Sequence, residues 1–181
     1  MPNAASLDAI NKIYDDYITN HQYLIDNGQV SIAMDYKSQY SKIMLLSAAS
    51  YFESKVVRIV MDFLNVDKCP LRSSFLEKKA LKRQYHTLFN WDQLNANQFF
   101  SLFGDDFKIF IRDKVSHDQE LKAAIEDFMV LGSFRNQLVH DNYATFRLPL
   151  TAEDVKKKFD NADKFVERIN LLVVEFKDGL I

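Results

Sequence analysis

Apolar residues recur at intervals of three and four along most of the chain, the spacing that lines one face of an α-helix. Over 7–26, Ile10, Ile13, Tyr14, Tyr17 and Ile18 fall on one side, and "DNGQ" stops the pattern at Gly28. Over 31–64 a longer helix carries Leu45, Ala49, Phe52, Val56, Ile59 and Phe63 in one stripe, and "NVDKCPLRSS" breaks it at Pro70. The middle third is less regular. There "SSFLEKKALKRQYHTLF" reads as helical with Ser73 or Ser74 as its cap, and "NWDQLNANQFFSLFG" as short helices ending near Gly104. Helices are predicted over 105–115 and 118–140. After Pro149, "TAEDVKKKFDNADKFVERINLLVVEF" opens the last long helix with Thr151 and Asp154 in a capping-box arrangement, Asp taking the place of Glu.

The composition fits one all-α domain over 1–181, a helical bundle whose second, penultimate and last helices are long. Four glycines and three prolines in 181 residues leave too few turn signals for a strand-rich sandwich. A hydrophobic content of 48% with 27% charged residues is that of a soluble globular protein. There is no internal repeat and no low-complexity linker. The single Cys69 cannot form an intramolecular disulfide, and "MPNAASLDAI" has neither the basic start nor the apolar run of a signal peptide, so a reducing cytoplasm is the expected location. No apolar run approaches the ~18 residues of a spanning helix, so membrane insertion is not expected.

A net charge of -2 argues against coating nucleic acid through a global basic field, but leaves room for a local site. The stretch "EKKALKRQYHTLF" groups Lys78, Lys79, Lys82 and Arg83 beside Tyr85, His86 and Phe89, a mixture of cations and rings that single-stranded RNA can use. The same run also reads as a solvated helix face with its apolar side docked, the commoner role of a charge run.

The more specific chemistry lies on the 118–140 helix. Its apolar stripe is Leu121, Ala124, Ile125, Phe128, Leu131 and Gly132, and Arg135 projects from the middle of that stripe. Asn136 falls at the stripe's edge, with His140 one turn beyond it. A guanidinium on an apolar face needs an anion. An internal carboxylate such as Glu53, in "LLSAASYFESKVV", is one candidate, and a phosphate bound bidentately is the other. Alone, His140 reads as a helix-terminal imidazole set against the negative end of the dipole. Together the three supply an arginine to hold a phosphate, an amide to orient it and an imidazole to move protons.

The run Arg135, Asn136, Gln137, Leu138, Val139, His140 resembles the signature of the HEPN domain (higher eukaryotes and prokaryotes nucleotide-binding): an Arg, a polar residue, three residues and a His. Its place on the penultimate helix, followed by one long helix, is similar to that all-α fold. "LLSAASYFESKVVRIV", with Glu53 in it, resembles the early helix of bacterial HEPN branches, including the RiboL-PSP-HEPN type. A second stretch, "RDKVSH" at 112–117, satisfies the same spacing, but Arg112 projects away from its helix's stripe of Phe107, Phe110, Ile111 and Val115. Arg135 and His140 are therefore preferred over Arg112 and His117.

The resemblance implies a metal-independent endoribonuclease in which the ribose 2′-hydroxyl attacks the adjacent phosphate at a site formed by two copies of the chain. Arg135 would stabilise the charged phosphate, Asn136 would position it or His140, and His140 would serve as general acid or base. Glu53 would support the site or only the fold. The implied partners are RNA such as tRNA or mRNA, a second copy in a homodimer, and an antitoxin protein, in a toxin or phage-defence role. No cofactor and no metal are expected. His21, His86, His117 and His140 are scattered, and there is no Cys pair, glycine-rich phosphate loop or nucleophile elbow. The alternatives are a non-catalytic HEPN module that binds nucleotide or RNA or holds a dimer, and a plain helical interaction protein in which Arg135 pairs with Glu53.

Overall fold

The first helix ends at a left-handed glycine, with the Asn27 side-chain amide donating to Tyr23 O at 2.8 Å. The computed structural model describes residues 2–64, 69–76, 78, 81 and 84–179. In it α1 (Pro2–Asp26) closes with Gln29 N–H bonded to Leu24 O at 2.9 Å and Gly28 N–H to Ile25 O at 3.0 Å. That paired reversal requires a left-handed residue, supplied by Gly28 at φ 70°. The chain then enters α2 (Val30–Phe63), whose expected stripe is real: Leu45, Ala49, Phe52, Val56 and Ile59 are buried and Phe63 half-buried.

The middle of the chain departs from the sequence reading at the start of its next helix, and in the basic stretch it favours the docked-face reading over base stacking. α3 (Pro70–Leu76) begins at Pro70, which suits a first helical turn because that position has no N–H to satisfy. Ser73 and Ser74 therefore lie inside the helix, and neither caps it. In the basic stretch, Lys79, Lys82 and Arg83 lie outside the described residues. Tyr85 and Phe89, however, are buried, with Phe89 packed between Phe99 (4.9 Å) and Phe128 (5.0 Å). Those two rings are core, and no base can stack on them.

Among the described residues the remaining elements are a 3-10 turn at Tyr85–Thr87, α4 (Asn97–Ser101), α5 (Asp105–His117), α6 (Gln119–His140) and α7 (Ala152–Asp178). No strand occurs among them, so the all-α class holds. α5 runs two residues past the expected 115. There the Ser116 hydroxyl donates to Asp113 O at 2.7 Å, and His117 Nδ1 lies 2.9 Å from the same carbonyl, satisfying it at the helix end. Asp118 caps α6 by accepting from Leu121 N–H at 2.8 Å, and its other oxygen accepts from Arg168 at 2.6 Å. α7 opens with the expected box: Thr151 N–H and hydroxyl donate to Asp154 at 3.0 and 2.9 Å, and Asp154 N–H donates back to the hydroxyl at 3.1 Å.

The chain divides into two compact units. Unit 1 is Met1–Tyr51 with Leu131–Asp160, and unit 2 is Phe52–Val130 with Asn161–Ile181. Unit 1 is centred on Tyr17, fully buried and ringed by Tyr36 (6.2 Å) and Tyr40 (5.6 Å), and on Tyr51 packed edge-on to Phe159 (5.2 Å). Unit 2 is a phenylalanine core in which Phe128 meets Phe52 and Phe165, each at 5.3 Å. Each such ring contributes about 1.5–3 kcal/mol by leaving water.

The two caps carry a pH dependence. Asp118 is held below the usual carboxylate range by the Leu121 N–H and Arg168, and Asp154 by the Thr151 N–H and hydroxyl. Their folded pKa values lie below the ~3.9 of an unfolded Asp, so the unfolded chain binds more protons in acid. Their stabilisation is complete above that value and is lost as pH falls through the folded values. In urea unfolding, the midpoint is expected to drop on acidification below about pH 4. Thr151→Ala is expected to lower stability at neutral pH by about 1 kcal/mol and to flatten part of that acid slope.

Candidate functional site

The last third of α6, in unit 1, carries the motif. Leu131 and Leu138 are buried, and Arg135 stands half-buried on the same face between them, as the 3.6-residue period requires. Its Nη1 donates to Asn136 Oδ1 at 3.1 Å, and Asn136 is also half-buried. His140 is the last helical residue and is exposed. At about 100° per residue, Asn136 lies between Arg135 and His140 around the helix axis, closer to the histidine. The amide already engaged by the arginine is therefore the group next to the imidazole. Glu53 is half-buried on α2 beside buried Phe52 and belongs to unit 2. Neither Arg135 nor Glu53 is an unpartnered charge.

The segment after His140 is built as an ordered turn. Asp141 N–H closes α6 on Gln137 O at 2.9 Å. Asn142 then organises the chain beyond it: its Oδ1 accepts from Ala144 N–H at 3.0 Å, and its carbonyl accepts from the N–H groups of Thr145 and Phe146 at 3.0 and 2.9 Å.

This turn is pinned by a residue the sequence reading missed. Lys42 of α2 is only 2% exposed, its Nζ donates to Tyr143 O at 2.8 Å, and it sits 4.8 Å from the Tyr143 ring centroid. A buried ammonium is costly, and here a carbonyl and a π face offset the loss of water. The signal is present in the sequence. Lys42 lies three residues before Leu45 and seven before Ala49, on the same apolar stripe, which is the pattern that draws attention to Arg135.

Unit 1 holds a second, part-buried polar group near the start of α7. The Tyr17 hydroxyl donates to Glu153 Oε1 at 2.9 Å, and burial, followed by that bond, raises the phenol well above its ordinary range. Tyr36 is pushed up to about 12, chiefly by burial. Burial works to raise Glu153 too, but hydrogen bonds from its own N–H, Tyr17 and Thr151 outweigh it and leave the carboxyl below its ordinary value. The group anchors α1 to the first turn of α7 with Glu153 half-buried.

The rival pair behaves as its helix face predicts: Arg112 and His117 are both exposed, and His117 faces Asp113 on its own helix. Among the described residues, no three His, Cys, Asp or Glu side chains group as a metal-binding set, and no helix is long and apolar enough to cross a membrane.

The model of the RiboL-PSP-HEPN family matches residues 5–175, almost the whole chain. The chain belongs to the RiboL-PSP-HEPN family. The resemblance read from the 135–140 run and the Glu53 helix is thus borne out. HEPN membership points to a nucleotide- or RNA-related function. No curated protein and no solved structure matches this HEPN chain. The match spans both Arg135–His140 and Arg112–His117, so the preference for the first pair rests on the placement of Arg135 on the apolar face and of Arg112 in solvent.

Lys42→Met keeps the length of the stem and removes the donor to Tyr143. Hydrogen exchange is expected to accelerate at the amides of Ala144, Thr145 and Phe146 and to stay unchanged at 124–134 in α6. Unchanged exchange at 144–146 would mean that Asn142 holds the turn unaided.

Proposed function

We propose that this HEPN chain is a metal-independent endoribonuclease. The observation that carries the reading is a half-buried Arg135 hydrogen-bonded to Asn136, with an exposed His140 one turn beyond, on a helix inside the family match. In the reaction the ribose 2′-oxygen bonds to the adjacent phosphorus and the bond from phosphorus to the 5′-oxygen breaks. The products are a 2′,3′-cyclic phosphate and a 5′-hydroxyl. One proton leaves the 2′-hydroxyl and another reaches the departing oxygen, so the net reaction consumes no water. Arg135 stabilises the charge on the pentavalent phosphate, Asn136 orients the phosphate or the imidazole, and His140 transfers a proton. Glu53 supports the fold or the site itself.

One imidazole cannot stand at the attacking and leaving oxygens together. A two-fold contact between copies supplies two, and it brings Arg135 and His140 from each chain to one cleft. Supporting it, Val139 and Tyr143, which flank His140 in sequence, are 48% and 40% exposed. Large apolar side chains beside a reactive group are a natural seat for a second chain. The wider reading is a cytoplasmic toxin or phage-defence effector acting on tRNA or mRNA and restrained by an antitoxin protein.

End-labelled single-stranded RNA and tRNA, incubated with the protein in excess chelator, test the proposal. Cleavage with cyclic-phosphate ends is expected, with His140→Ala lowering it by about a hundredfold or more and His117→Ala leaving it intact. RNA that is bound but never cut by the wild type would instead favour a non-catalytic nucleotide- or RNA-binding module. Val139→Asp, at an exposed site, is expected to turn a dimer into a monomer by light scattering and to abolish cleavage in parallel. A monomeric variant that still cleaves would sink the composite site.

A further inference from the structure

Unit 2 contains a pocket of about 420 Å³ between the 94–96 loop, α4, α5 and α6. Small-molecule sites typically enclose about 300–1,000 Å³, so the space suits a compact ligand. Its floor is Phe100, Ile111 and Ile125, all buried in the core and offering no hydrogen bond to an occupant. Leu94, also lining the pocket, is 60% exposed. The apolar surfaces leave a flat hydrocarbon body unmet.

The rim has a different character. Arg112 of α5 and Lys122 of α6 both line the pocket, and both are exposed. Neither forms an ion pair among the described residues. Glu126, one turn after Lys122, is the only carboxylate among the lining residues, so the pocket's own charge is positive although the chain's is -2. A guanidinium presents paired donors that match a carboxylate or phosphate, and Lys122 adds a second cation from the adjoining helix. A plain inorganic anion would leave the floor unused, and a neutral hydrocarbon would leave the cations unused.

We infer that this pocket binds a small organic anion, with an apolar ring on Phe100, Ile111 and Ile125 and an anionic group at Arg112 and Lys122. None of Arg135, Asn136 and His140 lines it, so the inference stands whether or not the chain cleaves RNA. Arg112, which the motif spacing offers as a catalytic residue, acquires a binding role from its place on α5.

The test is methyl-detected NMR of the full chain titrated with 2-naphthoate and, separately, with its uncharged counterpart 2-naphthylmethanol. Naphthoate is expected to shift the Ile111, Val115 and Ile125 methyls. Both the neutral analogue and the Arg112→Gln variant are expected to weaken binding roughly tenfold, the value of one charge-assisted hydrogen bond. Ser116→Trp, at an exposed lining position, is expected to fill the pocket and remove the shifts. Equal binding of naphthoate and naphthylmethanol, or shifts confined to other methyls, would reduce the feature to an apolar crevice and overturn the inference.

Discussion

A cation taken out of water costs several kcal/mol unless a partner meets it at a fixed position, and the architecture repeatedly turns on that constraint. The fullest case is Lys55 of α2, buried in unit 2, whose Nζ pairs with buried Asp163 and lies 3.4 Å from Glu167 one turn along α7. The buried Asp163 carboxylate, with Glu167 one turn along, ties those stretches of α2 and α7 together through one ammonium. Lys42, also on α2 but in unit 1, meets a carbonyl and a ring instead of a carboxylate. The consequence is different: it fixes a loop rather than a helix. Arg135 carries the constraint to the motif, where its guanidinium is half-buried and holds Asn136 in place.

Helix starts and ends rest on local bonds of the same kind. Asp118 caps α6 through Leu121 N–H and, through Arg168, joins that start to α7. α6 begins at Gln119 with Leu121, Ile125 and Phe128 buried in unit 2, and in unit 1 the helical period places Arg135 on one face between Leu131 and Leu138. The same helix ends on His140 because Asn142 immediately folds the chain back, and the α7 capping box then restarts it at Thr151.

Features encoded by neighbours in sequence are readable from it, and features that depend on distant packing are not. The α2 stripe, the Thr151–Asp154 box and the stop at Gly28 each rest on residues within a few turns of one another. Pro70 reads as a breaker because proline ends helices, yet it also begins them, and only the structure shows which role α3 uses. Tyr85 and Phe89 read either as stacking rings or as the docked side of a charged helix, and the choice is made by the packing of Phe89 against Phe99 and Phe128, further along the chain. Lys42 is legible in principle. Its anomaly on an apolar stripe matches that of Arg135, but without a motif around it nothing marks it as more than one lysine among many.

The exposures of the motif residues divide the labour in the way the proposed chemistry asks. A group that stabilises developing charge works best when held rigid and partly shielded, since a low local dielectric strengthens each hydrogen bond and no reorganisation is needed during reaction. Arg135, packed between Leu131 and Leu138 and tied to Asn136, meets that description. A group that transfers protons must reach the substrate, and His140 stands at the open end of the helix with the Lys42-pinned turn behind it. One chain supplies one such histidine at this helix end, while the reaction moves two protons at opposite oxygens. On the proposed reading a second copy supplies the second histidine, and the exposed Val139 and Tyr143 flank His140 where that copy would meet it.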